Sequence, residues 1–145
     1  MTGTAPRAGH KAQFRPEVFG RHSSFIVALL HGGLALFFFM AGWAKLTEPL
    51  HLLSLLMAWP GHTSPSVVYV IGAAEMALAT AVAAPLLRDW RGRLCALRAA
   101  IMLSASATAM MIYHVVRNDH GLATTNLMLV LIGVAIVIGQ RPRRP

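Results

Sequence analysis

Long apolar stretches of this 145-residue chain contain residues that can bind or protonate a ligand, namely Lys45, Glu75, His114 and Asn126. A carboxylate such as Glu75 near the middle of a membrane costs several kcal/mol unless it is paired, protonated or hydrated. We therefore predict that Glu75 accepts a proton or anchors a polar head group. His114 is predicted to relay a proton as a second catalytic residue. Lys45, Glu75 and Asn126 are predicted to form the ligand-binding set.

Each of these residues also has a structural interpretation. Glu75 can belong to a structural pair, or stay protonated and hydrogen-bond a Ser or Thr on another helix. His114 suits the lipid headgroup level, and Lys45 can extend its ammonium group to the same interface. His31, in the first apolar stretch, is expected to be an interhelical histidine with its hydrogen bonds satisfied. Residue types by themselves leave both interpretations open.

The chain offers few residues for metals or redox cofactors. Its single cysteine, Cys95, excludes an intrachain disulfide, a CxxC redox pair and a cysteine-built metal site. His51 and His62 lack a third ligand at a suitable spacing, so no zinc site is predicted. His31 and His114 lie near opposite ends of the predicted bundle, and one haem iron cannot reach both. We expect no haem, flavin or metal.

The composition is that of a membrane protein. Apolar residues make up 56% of the chain and charged residues 12%, whereas soluble domains carry about 25% charged residues. Stretches that approach or exceed the roughly 20 residues needed to cross a hydrocarbon core are Ser23–Ala44, Ser66–Leu87, Leu94–Val116 and Gly121–Gln140. Because every backbone amide must be hydrogen-bonded inside lipid, we predict an all-α fold, an integral membrane four-helix bundle.

Basic residues flank the apolar stretches and predict their orientation. The formal net charge is +8, but the charges lie at segment ends, so no nucleic-acid partner is expected. The N-terminal arm, the second loop around Arg88–Arg93 and the C-terminal tail are basic, which predicts that both termini are cytoplasmic. The chain is thus divided into a basic mobile cytoplasmic arm (1–22), a membrane domain (23–140) and a basic cytoplasmic tail (141–145).

A short apolar segment, Pro49 to Trp59, joins the first two spans. It is too short to cross a bilayer, so we predict an interfacial helix that plugs or covers the mouth of the bundle. Aromatic side chains favour membrane interfaces. Those predicted at the outer interface are Trp43, Trp59, Tyr69 and Tyr113, with Trp90 at the inner one.

Helical periodicity predicts which polar groups face the interior of the bundle. The inward stripe of each span contains polar or small residues: His31, Ala35, Phe38, Gly42 and Lys45; Gly72, Glu75, Ala79 and Ala83; Ser104, Ala107, Thr108, Met111 and His114; and Asn126, Gly133 and Gln140. Small residues let neighbouring helices approach closely. Depth along each helix then gathers Lys45, Glu75, His114 and Asn126 in the outer half of the bundle.

Several of these features together resemble the DoxX family. They are the run Phe38-x-x-x-Gly42-x-x-Lys45-Leu46 at the end of the first span, Glu75 within the second, and the basic turn Arg88 to Arg93. The third span, rich in Ala, Met and Ser from Ala99 to Met111, is similar too. The resemblance covers roughly residues 24 to 140 and leaves out the basic arm.

The resemblance implies a compact four-helix bundle in the bacterial cytoplasmic (inner) membrane. Some DoxX proteins are similar to the membrane subunit of a thiosulfate:quinone oxidoreductase, and others belong to membrane-associated oxidoreductase or detoxification systems. The resemblance therefore implies a pocket for a quinone or another small ligand, with Lys45 and Glu75 at this pocket. The chain has no pair of cysteines for sulfur transfer, which argues against thiosulfate chemistry.

These observations leave two main hypotheses. In the first, the protein is a redox-linked, quinone-interacting membrane subunit whose electrons come from a partner protein. In the second, it is a non-catalytic structural or assembly subunit of a larger membrane complex, and Glu75 ties helices together. A small transporter is less favoured because the spans show neither discontinuous helices nor inverted halves. The expected partners are the lipid bilayer and other membrane or membrane-associated subunits.

Overall fold

A computed structural model describes residues 17–87 and 93–140, which are almost entirely helical. In chain order these are α1 (Glu17–Thr47), α2 (Leu50–Met57), a 3₁₀ turn (Trp59–His62), α3 (Pro65–Leu87), α4 (Arg93–Val116) and α5 (His120–Gly139). In the described ranges, four helices (α1, α3, α4 and α5) are long and apolar enough to cross a membrane. The predicted all-α, four-helix membrane fold is confirmed.

The predicted span boundaries agree closely with the helices except at the start of α1. This helix begins at Glu17, ahead of the predicted start at Ser23, and its apolar part runs from Phe25 to Thr47. The predicted arm up to residue 16, the loop at 88–92 with Trp90, and the tail at 141–145 lie outside the described residues. The mobility of the arm and the cytoplasmic location of both termini stay predictions.

The spans pack in the order α1, α3, α4, α5, and α1 meets α5 less extensively than it meets α3. Each span contributes a fully buried side chain to the core, and these are Leu34, Val82, Leu103 and Ile136. Large apolar side chains on the opposite faces remain exposed, as expected where a helix meets lipid rather than water.

The backbones of α1 and α3 approach closely at Gly42 and Gly72. A Cβ atom built on Gly42 would lie 2.6 Å from the Gly72 carbonyl oxygen, and one on Gly72 would lie 2.8 Å from the Gly42 oxygen. Only residues without a side chain permit this approach. Lys45 and Glu75 lie one turn beyond these glycines, so the crossing brings their side chains within reach of each other.

The predicted short helix between the first two spans is present as α2, which has 8 residues. Leu53 is fully buried, whereas Leu55 and Leu56 are exposed, so α2 is apolar on both its protein side and its outer side. The chain then reverses at Ala58, whose φ of 61° is unusual for a residue other than glycine. The reversal turns Trp59 back toward the bundle.

Candidate functional site

A cavity of about 100 Å³ lies among α1, α3, α4 and α5, beside the end of α2. We call it the Lys45–Glu75 cavity. The polar side chains that line it are Lys45, Glu75, Ser106, His114, Thr125 and Asn126. The structure thus brings the four site residues predicted from the sequence to one cavity. The remaining wall is apolar and includes Phe38 and Met110.

Lys45 and Glu75 form a buried ion pair between α1 and α3. The Lys45 Nζ atom donates to Glu75 Oε2 at 2.5 Å, and the two side chains are 5% and 10% exposed. An ammonium group has three donors and a carboxylate has two acceptor oxygens. The single bond between them leaves donors on Lys45 and an acceptor on Glu75 for a ligand. The pair can therefore hydrogen-bond both to a carbonyl oxygen and to a hydroxyl group.

Trp59 closes the cavity over the ion pair. The Lys45 Nζ atom lies 6.0 Å from the centre of the Trp59 ring, at the outer limit of a cation–π contact. Trp59 is predicted from the sequence as an interface anchor and not as a site residue. Pro60 follows Trp59 in the 3₁₀ turn and is buried. The Pro60–Gly61 pair is the feature of the sequence that indicates a turn at this point.

His114 stands on α4 between the cavity and Asp119. Its side chain is 4% exposed, and its Nδ1 atom lies 3.6 Å from Asp119 Oδ2, slightly beyond hydrogen-bond distance. Among the described residues, none hydrogen-bonds to this nitrogen. The second Asp119 oxygen, Oδ1, accepts from the Leu122 backbone N–H at 3.3 Å and caps α5. Asp119 thus faces one side of the imidazole and leaves Nε2 available to a ligand.

Asn126 on α5 is half-buried and offers both an acceptor and a donor to the cavity. Its Nδ2 atom donates one hydrogen to the Leu122 carbonyl oxygen of its own helix at 2.8 Å. The neighbouring Thr125 hydroxyl likewise donates to the Gly121 carbonyl oxygen at 3.2 Å. The amide oxygen of Asn126 and the second hydrogen of its Nδ2 atom are left for a ligand. This oxygen complements the donors of Lys45 and His114.

A family model described as the DoxX-like family matches residues 29–136 of the chain. The match extends over most of the bundle and includes every polar residue of the cavity. The chain belongs to the DoxX-like family. No curated protein and no solved structure matches it significantly.

The other end of this DoxX-like bundle holds His31 and Gln140. The His31 Nδ1 atom lies 2.7 Å from the Val27 carbonyl oxygen, and the Gln140 Nε2 atom lies 2.6 Å from His31 Nε2. Both ring nitrogens are therefore engaged, as predicted for an interhelical histidine. His31 takes no part in the Lys45–Glu75 cavity. Across the described ranges, no group of three His, Cys, Asp or Glu side chains is arranged to hold a metal ion.

Proposed function

We propose that this DoxX-like protein is the membrane subunit of a redox-linked complex, and that the Lys45–Glu75 cavity binds the head group of a quinone. The observation that carries the proposal is the buried Lys45–Glu75 pair, which keeps unused donors and an unused acceptor at a cavity wall. We further propose that the protein lies in the bacterial cytoplasmic membrane with this cavity in its outer half.

The size and lining of the cavity suit a single ring. Its volume is about 100 Å³, somewhat below the roughly 150 Å³ of an apolar cavity known to hold benzene. A substituted ring therefore enters only when side chains at the cavity move to enlarge it. Phe38 and Met110 offer apolar surface to such a ring, and the polar groups of the cavity offer hydrogen bonds to its oxygens.

The residues at the cavity can form hydrogen bonds with both the oxidised form (quinone) and the reduced form (quinol) of such a ligand. A bound quinone accepts two electrons and two protons. Lys45 donates to a carbonyl oxygen, and the free Glu75 oxygen accepts from a hydroxyl group. His114, with Asp119 beside its Nδ1 atom, exchanges a proton through Nε2. Because the sequence has no haem, flavin or iron–sulfur motif, a partner subunit supplies the electrons.

Binding to the purified protein tests this proposal. Decylubiquinone is titrated into protein reconstituted in nanodiscs of phosphatidylethanolamine and phosphatidylglycerol, and binding is followed by quenching of tryptophan fluorescence. Lys45→Met combined with Glu75→Gln replaces the pair by uncharged groups of similar shape, a change that folded proteins usually tolerate. We expect the wild type to bind and the double variant to lose at least roughly 90% of its affinity, as expected when hydrogen bonds to charged groups are removed.

The control is Gln140→Met, which changes a half-buried polar residue at the other end of the bundle and is expected to leave affinity unchanged. Equal binding by the wild type and a folded Lys45→Met/Glu75→Gln variant would show that the pair does not hold the ligand. Absence of saturable binding to the wild type would contradict the proposed function.

The second candidate function is that of a non-catalytic structural or assembly subunit. It is favoured by the position of the ion pair beside the Gly42–Gly72 crossing, where it joins α1 to α3. In this case the protein co-purifies with partner subunits from gently solubilised native membranes, and the partners are lost when the fold is disturbed. Co-purification together with no saturable quinone binding would favour this function over the first.

A further inference from the structure

A shallow apolar groove runs along the lipid-facing side of α1. It is lined by Gly33, Leu36, Phe37, Met40 and Ala41, and by Met57 at the end of α2. We call it the α1 groove. It extends from Ala41 to Gly33, roughly 12 Å along the helix axis. Leu36 and Met40 are 64% and 56% exposed, so the groove is open to the hydrocarbon of the bilayer.

The α1 groove adjoins the Lys45–Glu75 cavity. Phe37, Ala41 and Met57 line both. These three side chains are apolar, whereas the polar groups of the cavity come from other parts of its wall. The junction between the cavity and the lipid-facing groove is therefore lined by apolar groups.

The cavity is closed toward the other end of the bundle. Phe38 and Ala107, which line it, also belong to the buried hydrophobic core. Beyond them the core continues with Leu34, Val82 and Leu103, all fully buried. A ligand larger than the cavity cannot extend in this direction. An apolar substituent needs another direction, and the apolar junction with the α1 groove offers one.

We propose that the ligand of the Lys45–Glu75 cavity enters sideways from the bilayer and carries one flexible apolar chain, which lies in the α1 groove. This inference rests on the proposed function and narrows the ligand class to long-chain quinones, to the exclusion of water-soluble rings. The cavity holds about one ring, so the chain must lie outside it. The apolar junction borders a groove of matching chemistry.

Photo-crosslinking locates the chain directly. The probe is decylubiquinone with a diazirine at the end of its chain, bound to the protein in the same nanodiscs. We expect the labelled peptide to contain residues of the α1 groove from Gly33 to Ala41, and excess decylubiquinone to abolish the labelling. Competed labelling on α4 or α5 would overturn the proposed path of the chain while leaving ring binding intact. Labelling that decylubiquinone does not compete would instead contradict the proposed function.

A pair of matched variants tests the groove by affinity. Met40→Trp fills the α1 groove without touching the cavity, and Met128→Trp makes the same change on α5, where the methionine is also 56% exposed. We expect Met40→Trp to weaken decylubiquinone binding roughly tenfold, since the indole would occupy the groove in place of the chain. Met128→Trp is expected to have no effect.

The parent ring without the chain, dimethoxy-methyl-benzoquinone, tests binding to the cavity independently of the groove. Its affinity should be the same in the wild type and in both tryptophan variants. If Met40→Trp leaves decylubiquinone binding unchanged, the groove holds no chain and is filled by ordinary lipid. If neither the ring nor decylubiquinone binds to the wild type, the proposed function itself fails.

Discussion

Lys45 and Glu75 are each buried among apolar side chains, and neither charge is solvated by bulk water. Removing one partner of such a pair leaves the other as an uncompensated charge, which destabilises a protein far more than removal of both. Substitution of one partner of this buried pair should therefore lower stability more than the loss of a surface salt bridge, which changes stability by about 1 kcal/mol or less.

We predict that Glu75→Gln alone lowers the free energy of unfolding by about 3–5 kcal/mol. Lys45→Met together with Glu75→Gln should restore most of this loss, because no charge is then left without a partner. Thermal unfolding in detergent measures both effects. A double variant less stable than either single variant would show that the pair stabilises the fold through its charges.

Asp119 combines a helix cap with a contact to His114, and two substitutions separate these roles. Asp119→Asn keeps a good N-cap residue and removes the carboxylate charge, so stability should change little. Asp119→Ala removes the cap and should destabilise the protein by about 1 kcal/mol. Both variants should weaken quinone binding as much as His114→Gln does. Unchanged binding in Asp119→Asn, measured by fluorescence quenching, would show that the carboxylate does not position His114.

At the scale of elements, the crossing of α1 and α3 determines whether the cavity can form. Gly42 and Gly72 bring the two backbones into contact, and Lys45 packs against the same place. A Cβ atom on Gly72 would lie 2.8 Å from both the Gly42 carbonyl oxygen and the Lys45 Cβ atom. Any side chain at position 72 must therefore separate the helices.

Alanine substitutions at two glycines test the crossing. Gly72→Ala is expected to destabilise the bundle by about 1–3 kcal/mol, since backbone atoms must move to relieve the overlap. Gly33→Ala is the matched control, because a Cβ atom there would meet nothing within 4 Å. It should stabilise α1 by roughly 0.5–1 kcal/mol through helix propensity alone. Equal thermal midpoints for the two variants in detergent would contradict close packing at Gly72.

At the scale of the whole molecule, the apolar outer surface and the basic flanks describe a protein set in a bilayer. In the described ranges four helices can cross it, and large apolar side chains such as Leu36, Ile101 and Leu131 are exposed on their outer faces. Such faces are expected where helices meet lipid chains.

Reporter fusions test the predicted orientation. We expect fusions at both termini and in the loop at 88–92 to report the cytoplasm, because cytoplasmic loops concentrate Lys and Arg. Moving the basic residues of the arm and this loop to the first and third loops should invert the pattern. An unaltered pattern after this exchange would contradict an orientation determined by the basic flanks.

The sequence by itself determined the four spans and the inward position of Lys45, Glu75, His114 and Asn126. Hydropathy and helical periodicity carry this information, since a span must be apolar and its polar residues must avoid lipid. Periodicity gives the face of a helix but not the distance to its neighbour. Only the tertiary structure decided that Lys45 reaches Glu75, because that depends on how closely the backbones approach at Gly42 and Gly72.

Two contacts of the site, Trp59 with Lys45 and Asp119 with His114, are not predicted from the sequence, because helical periodicity carries no information on the distance between elements. Trp59 turns over Lys45 because the chain reverses at Ala58, and Asp119 faces His114 because the loop between α4 and α5 places the α5 cap beside the end of α4. Such contacts depend on the path of a few connecting residues, which no periodic pattern records. The volume of the cavity and its position beside the α1 groove likewise follow from the packing of whole helices.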